Sequence, residues 1–297
     1  GFGRVFPHPY GPADGKLFTT LLTTSPAGDE LTVSFAKALI EGEKLGQDDV
    51  PDYLSVSLSS TDYVGHLFGP SSLESEDQIL RLDRQIADLL SFVDERIGID
   101  KTLIVLSADH GAADPPGYLE RYGIPATYIN PKEWDTTPGL SRLKERFGIG
   151  KELIKSYFHP YIYLDEEAIA KSGASQAEVE REVANEVMKL PGVVLAVSST
   201  ALATGAYADM PLMRSILKNF SPSRSGDVFV VFAPHSFIND FDGLTVAAHH
   251  GSPWNYDTYV PMIFAGNGLD GRRIARRVET VDLAPTLSAL LGTKPPS

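Results

Sequence analysis

Two short strings in this chain carry the side chains that bind divalent metals: Asp62-Tyr-Val-Gly-His66, and Asp109-His110 directly before Gly111. Each pairs a carboxylate with an imidazole, the oxygen and nitrogen donors that zinc and similar borderline ions prefer. In the first string, a loop or a first helical turn brings residues four apart within reach of one ion. In the second, neighbouring side chains diverge in ideal β geometry, but a turn at Gly111 lets both face one cation. A third candidate is His250, in His249-His250-Gly251-Ser252, where Gly251 again permits a sharp turn and His249 reads as a structural neighbour. The bland readings are a helix-capping Asp with a surface His at the first string, and an Asx-turn at the second. For Asp62 and His66 alone the bland reading outweighs the other until the preceding strand-like run and the small, polar Ser59-Ser60-Thr61 are added. For Asp109-His110 the metal reading prevails, because the run before it is apolar throughout. His8, His159 and His235 each stand beside a proline and read as surface or packing histidines. Trp254 and Tyr256 near His250 are compatible with a site wall or with packing.

The elements around these strings follow from periodicity. Residues 1–30, rich in Gly, Pro and Thr, read as surface loop. Residues 31–45 space Leu31, Phe35, Ala38, Leu39 and Leu45 as a helix does. Residues 53–59 alternate and predict a strand, followed by the loop that carries Asp62 and His66. Residues 75–97 are the clearest helix, with Ile79, Leu82, Ile86, Leu89, Leu90 and Val93 on one side and Gly98 as a stop. Residues 101–107 are nearly continuous apolar, as in a strand covered on both faces. Strand, helix and strand would form one βαβ unit. Its right-handed crossover would bring both ligand strings to one sheet edge, where open α/β sheets bind their ligands.

Residues 115–235 differ in character. Strands are expected at 161–164, 193–198 and 227–233, with helices at 175–190 and 210–220; Ser175 and Glu178 suggest a capping box. Sheet character returns at 260–265, followed by a helix over 280–291 with Pro295-Pro296 beyond it. The expected fold class is α/β: a mostly parallel central sheet with helices on both faces, plus an inserted α+β lobe. The implied divisions are core residues 1–114, lobe 115–235 and core again 236–297.

Bulk properties narrow the function. The 297 residues are 42% apolar, enough for a real core, and carry a formal net charge of −13, which argues against nucleic-acid binding. No run approaches the roughly 18 apolar residues of a membrane span. Cysteine is absent, which excludes disulfides, thiolate ligands and a cysteine nucleophile. The opening Gly1-Phe-Gly-Arg4 has neither an initiator methionine nor a signal-peptide pattern and reads like the interior of a longer chain. Phe220-Ser-Pro-Ser-Arg224 nearly matches the sulfatase motif, but Phe220 stands where a Cys or Ser is required, so it reads as a turn into the next strand.

Taken in order, segments 59–70 (SSTDYVGHLFGP), 106–112 (LSADHGA), 247–266 and 279–292 resemble the alkaline phosphatase superfamily. Within it they resemble the phosphate-irrepressible alkaline phosphatases and the type I phosphodiesterase/nucleotide pyrophosphatases; residues 35–47 add to the likeness. The resemblance implies a zinc-dependent phosphohydrolase acting on small phosphorylated substrates, periplasmic or secreted. Asp62, His66 and His250 would hold one Zn²⁺, and Asp109 and His110 part of a second. In-line attack by a Thr or Ser would give a covalent phospho-enzyme, with the two ions stabilising the apical oxygens. That nucleophile and a further Asp lie upstream in the family. Here Thr19, Thr20, Thr23 and Thr24 occupy what reads as loop, so the nucleophile is expected outside this chain and the chain alone to be weakly active or inactive. Other readings are a catalytically inactive, metal-stabilised domain that binds phosphorylated ligands, and a manganese-dependent phosphoglycerate mutase relative.

Overall fold

The computed structural model describes residues 5–241, 244–266 and 268–295; Gly1-Phe-Gly-Arg4 and Pro296 lie outside them. The chain forms two compact units, residues 1–111 with 260–297, and residues 112–259.

The first unit is mainly helical. Its helices are α1 (Phe18–Thr23), α2 (Pro26–Gly42), α3 (Ser60–Phe68) and α4 (Leu73–Arg96). The expected loop over 1–30 is therefore corrected: it contains α1 and the start of α2. Threonine is a poor helix former, which hid α1. Its hydroxyls adapt by bonding backward, Thr23 to the Thr19 carbonyl at 3.1 Å and Thr24 to that of Thr20 at 3.0 Å. Helix α2 starts at Ser25, whose hydroxyl accepts from the Ala27 N–H, with Pro26 at the first helical position. Helix α4 starts at Ser72, which accepts from the Ser75 N–H, and gives way to Gly98 at φ 101°.

Periodicity located α4 but misplaced its packed side. Ser75, Gln78, Gln85 and Val93 are the buried residues, whereas Ile79 is 52% exposed. The strand expected over 53–59 is also corrected. Leu54, Val56 and Leu58 are half-buried between exposed neighbours, which preserves the period of two, yet this stretch forms no ladder among the described residues. Without it, the βαβ unit is not made. The run after α4 does form a strand, Leu103–Ser107. It pairs antiparallel with Met262–Gly266, from Leu103 opposite Gly266 to Ser107 opposite Met262. These two strands therefore do not make the parallel pairing expected of a central sheet, and the run 53–59 expected to extend it stays unpaired among the described residues. After the strand Met262–Gly266, a short 3-10 turn leads into the helix Leu283–Leu290.

The second unit is built on a four-stranded antiparallel sheet. Its strands run in the order Ile154–Phe158, Tyr161–Leu164, Val228–Phe232, Val193–Ser198. The strand Val228–Phe232 is buried throughout, and its alternation divides two cores. Val228, Val230 and Phe232 pack with Ile162 and with Val179 and Val183 of the helix Gln176–Val187. Phe229 and Val231 pack on the other face with Tyr161 and with Met213 and Ile216 of the helix Pro211–Asn219. The Ser175–Glu178 capping box does not form: Ser175 makes no side-chain cap, and the Glu178 carboxylate accepts from Arg146 at 2.8 Å instead. Ser221 to Ser225 form the turn expected near Arg224, with the N–H groups of Arg224 and Ser225 both donating to the Ser221 carbonyl.

Candidate metal centre

Helix α3 presents two of the sequence candidates. Asp62 lies in its first turn, where a carboxylate suits the helix dipole, and His66 in its last. Gly69, at φ 90°, ends the helix. Val64 is 2% exposed and turns its side of α3 inward. The four-residue spacing puts both ligand types on one side, with Asp62 Oδ2 3.4 Å from His66 Nε2. The expected loop or first turn is thus a complete short helix.

Asp109 and His110 follow the strand Leu103–Ser107. A ring nitrogen of His110 lies within 4.8 Å of an Asp62 carboxylate oxygen. His110 Nδ1 faces the Gly111 carbonyl at 3.0 Å. Donation there would place the proton on Nδ1 and the ring's lone pair on Nε2, the tautomer of a ligating histidine. That Nε2 lies 3.4 Å from Asp109 Oδ2, and the Asp109 side chain is 87% exposed. The first unit therefore links Asp62, His66, Asp109 and His110 in one cluster.

Each carboxylate–imidazole pair has the spacing of two neighbouring zinc ligands. Zinc bonds of about 2.1 Å imply neighbouring donors about 3.4 Å apart, and both carboxylate–imidazole pairs measure 3.4 Å.

The second unit carries the remaining histidines. The His250 N–H donates to His249 Nδ1 at 2.8 Å, and each of the two rings has a nitrogen within 4.8 Å of the other's. Gly251 follows at φ 98°, and a Cβ there would stand 3.2 Å from His159 Cδ2. The positive φ favours glycine, and the close approach of His159 leaves little room for a larger residue. Asp257 closes the turn, accepting from the Ser252 N–H at 2.7 Å and from its hydroxyl at 2.5 Å. Trp254 donates its indole N–H to the Phe232 carbonyl at 3.0 Å, and the Tyr256 hydroxyl accepts from the His235 N–H at 2.9 Å. Both aromatic residues thus have packing roles within this unit.

His159 is a packing histidine with a specific job. Its Nδ1 meets the Tyr157 hydroxyl at 2.8 Å and its Nε2 the Gly251 carbonyl at 3.2 Å. Its ring stacks on Phe232. Burial holds its pKa down to about 4, against an ordinary 6.5. His8 likewise packs, bonded to Glu74 at 3.0 Å and stacked on Phe68. Sequence reasoning missed Asp29, a buried carboxylate bonded to the first turn of α3. Acidic residues near helix starts are commonplace, so nothing in its sequence context sets it apart.

Residues 11–253 match the family model of type I phosphodiesterase/nucleotide pyrophosphatase. Alkaline phosphatase PafA of Elizabethkingia meningoseptica is 33% identical over 99% of this chain and 52% of its own length. Alkaline phosphatase PhoV of Synechococcus elongatus is 33% identical over 98% of this chain and 51% of its own. The crystal structure of wild-type PafA superposes with a TM-score of 0.83 at 31% identity, covering 94% of this chain and 52% of that one. The chain thus spans about half the length of the relatives it matches. Its α/β fold is that of the PafA structure over nearly all of these residues. On the family match and these identities, the chain belongs to the type I phosphodiesterase/nucleotide pyrophosphatase family of the alkaline phosphatase superfamily.

Proposed function

We propose that this chain supplies the metal-binding part of a zinc-dependent phosphohydrolase that cleaves small phosphate esters. The observation that carries the reading is the Asp62–His66–His110–Asp109 cluster, two carboxylates and two imidazoles at zinc-like spacing. Relatives described as alkaline phosphatases support the substrate class. Asp62 and His66 are proposed ligands of one ion and Asp109 and His110 of a second, and His250 is a further candidate donor carried by the second unit. When bound, such ions polarise the phosphoryl group and stabilise the charge that builds on the apical oxygens. The chain's own part is to hold the donors in place: α3 orients Asp62 and His66, and the Gly111 carbonyl sets the His110 tautomer.

The nucleophile is proposed to come from outside these residues. The Thr23 and Thr24 hydroxyls donate to carbonyls of the Thr-rich turn of α1, which suits a structural role. Export to the periplasm or beyond is part of the same proposal and rests on the alkaline phosphatase likeness alone. No described helix is long and apolar enough to cross a membrane.

The test combines zinc content with hydrolysis of p-nitrophenyl phosphate, for this chain and for a protein extended upstream. Zinc should bind the chain and be lost in Asp62→Ala and His66→Ala, and hydrolysis should be strong only in the extended protein. Zinc retention in both variants, or strong hydrolysis by Asp109→Ala, would overturn the assignment. Zinc and phosphate binding by both proteins without turnover would instead mark a phospho-ligand-binding domain.

A further inference from the structure

Asp29 is 1% exposed, and its carboxylate faces away from the helix that carries it. Oδ1 accepts from the Ser60 N–H at 3.0 Å. Oδ2 accepts from the Gln78 amide at 2.8 Å and from the Thr61 hydroxyl at 3.3 Å. One side chain thus joins three helices: α2, which bears it; α3, which opens with Ser60 and Thr61; and α4, which bears Gln78.

This contact replaces a missing local cap. Ser59, the residue before α3, makes no side-chain bond to the helix start. The first turn of any helix leaves N–H groups without intrahelical partners, and a carboxylate is among the best acceptors for them. Here the acceptor comes from another helix. Burying a carboxylate is costly, and burial pushes the Asp29 pKa up. Its described partners are all neutral donors. If only a cap were needed, a serine side chain at position 59 would serve at lower cost. What Asp29 adds is the anchoring of α3 to α2 and α4. Gly28 makes the approach possible, since a Cβ there would fall 2.2 Å from Ser60 Oγ.

Thr61 is followed directly by Asp62, and His66 lies one turn further on. We propose that Asp29 is a positioning residue: by holding Ser60 and Thr61 it fixes the first turn of α3 and so the placement of Asp62 and His66. The inference rests on the reading of those two residues as metal ligands.

The test uses the full chain and zinc alone, with affinity measured by chelator competition well below the melting temperature. Amide exchange over residues 60–66 is followed in the metal-free protein. Asp29→Ala should speed exchange in α3 relative to α4 and weaken zinc binding by about 10–100-fold, the usual effect of losing a group that orients ligands. Asp29→Asn keeps an acceptor oxygen and should recover affinity to within a few-fold. A loss of thermal stability alone would not change zinc affinity in a folded sample. Zinc affinity within twofold of the parent, with α3 exchange unchanged, overturns the proposal. If Asp29→Ala fails to fold, Thr61→Val decides: it should speed α3 exchange and weaken zinc binding several-fold, and parent-like affinity and exchange in it would sink the claim. If the parent chain binds no zinc, the metal reading fails by itself, while α3 exchange still decides whether Asp29 anchors the helix.

Discussion

The two segments bearing candidate ligands are held in opposite ways. Helix α3 is fixed by a buried polar junction, where Asp29, Thr61 and Gln78 exchange hydrogen bonds. The His249–His250 turn sits in an apolar and aromatic setting, with Ala248 fully buried beside Ala113 and Phe237 and with Trp254 tied to the strand Val228–Phe232. Polar junctions are directional and fail when a partner is lost. Apolar packing is non-directional and fails when volume is lost. The two units should therefore break under different substitutions.

The largest effect is expected in the second unit. Ile162, on the strand Tyr161–Leu164 and paired with Val228, is fully buried in the main core of that unit. Ile162→Ala should cost about 2–5 kcal/mol, read from denaturant unfolding followed by Trp fluorescence. Leu106, 40% exposed in the first unit's strand pair, should cost well under half as much on the same change. Equal losses would dissolve the contrast.

Acid should separate the units next. His159 has its pKa depressed from 6.5 to about 4, so the fold favours the neutral ring. The unfolded chain therefore binds a proton first as pH falls. The stabilisation is complete above pH 6.5, is lost as pH drops from 6.5 towards 4, and changes no further below that. The loss amounts to at most about 3 kcal/mol, reduced because the ring retains some solvent contact. Unfolding of His159→Gln should lack this slope. Asp29 acts in the other direction: its pKa is raised by burial, so protonation within its titration range favours the first unit. A common acid slope in both units would refute the distinction.

Gln78→Ala should cost the first unit up to about 1.5–3 kcal/mol, the usual value of a hydrogen bond to a charged group. The loss is partly offset because the Gln78 Oε1 is itself buried without a described partner. Gln78→Glu should be worse, since it sets a second acid against Asp29 at 2.8 Å. Hydrogen exchange in α3 would locate the effect, and a neutral Gln78→Glu would remove the polar-junction account.

Legibility in the sequence followed the same division. Apolar runs announced Leu103–Ser107, Tyr161–Leu164 and Val228–Phe232 to within a residue or two; burial leaves few polar positions in the last two, whereas Leu103–Ser107, expected to be covered on both faces, is only half-buried with Leu106 exposed. The candidate strings Asp62–His66 and Asp109-His110 stood out because short spacings of carboxylate and imidazole need no tertiary knowledge. The polar junction was invisible. Asp29 meets Gln78 across 49 positions, and each looks like an ordinary helix surface residue. Residues 53–59 show the converse failure: alternation records which side chains face inward, but a ladder also needs a neighbour, and a single run does not encode one.

The smallest effect tests where local sequence misleads. Ser175 and Glu178 have the spacing of a capping box, which would make Ser175→Ala cost about 1 kcal/mol. The Ser175 hydroxyl makes no cap, and Glu178 is drawn to Arg146. Ser175→Ala should therefore shift the second unit's stability by less than about 0.5 kcal/mol. Ser25→Ala, at the start of α2, removes a cap that is made, to the Ala27 N–H at 3.3 Å, and should cost the first unit about 1 kcal/mol. The pair, measured side by side in denaturant, asks whether a cap's worth lies in its spacing or in its bond. A larger loss from Ser175→Ala than from Ser25→Ala would favour the spacing.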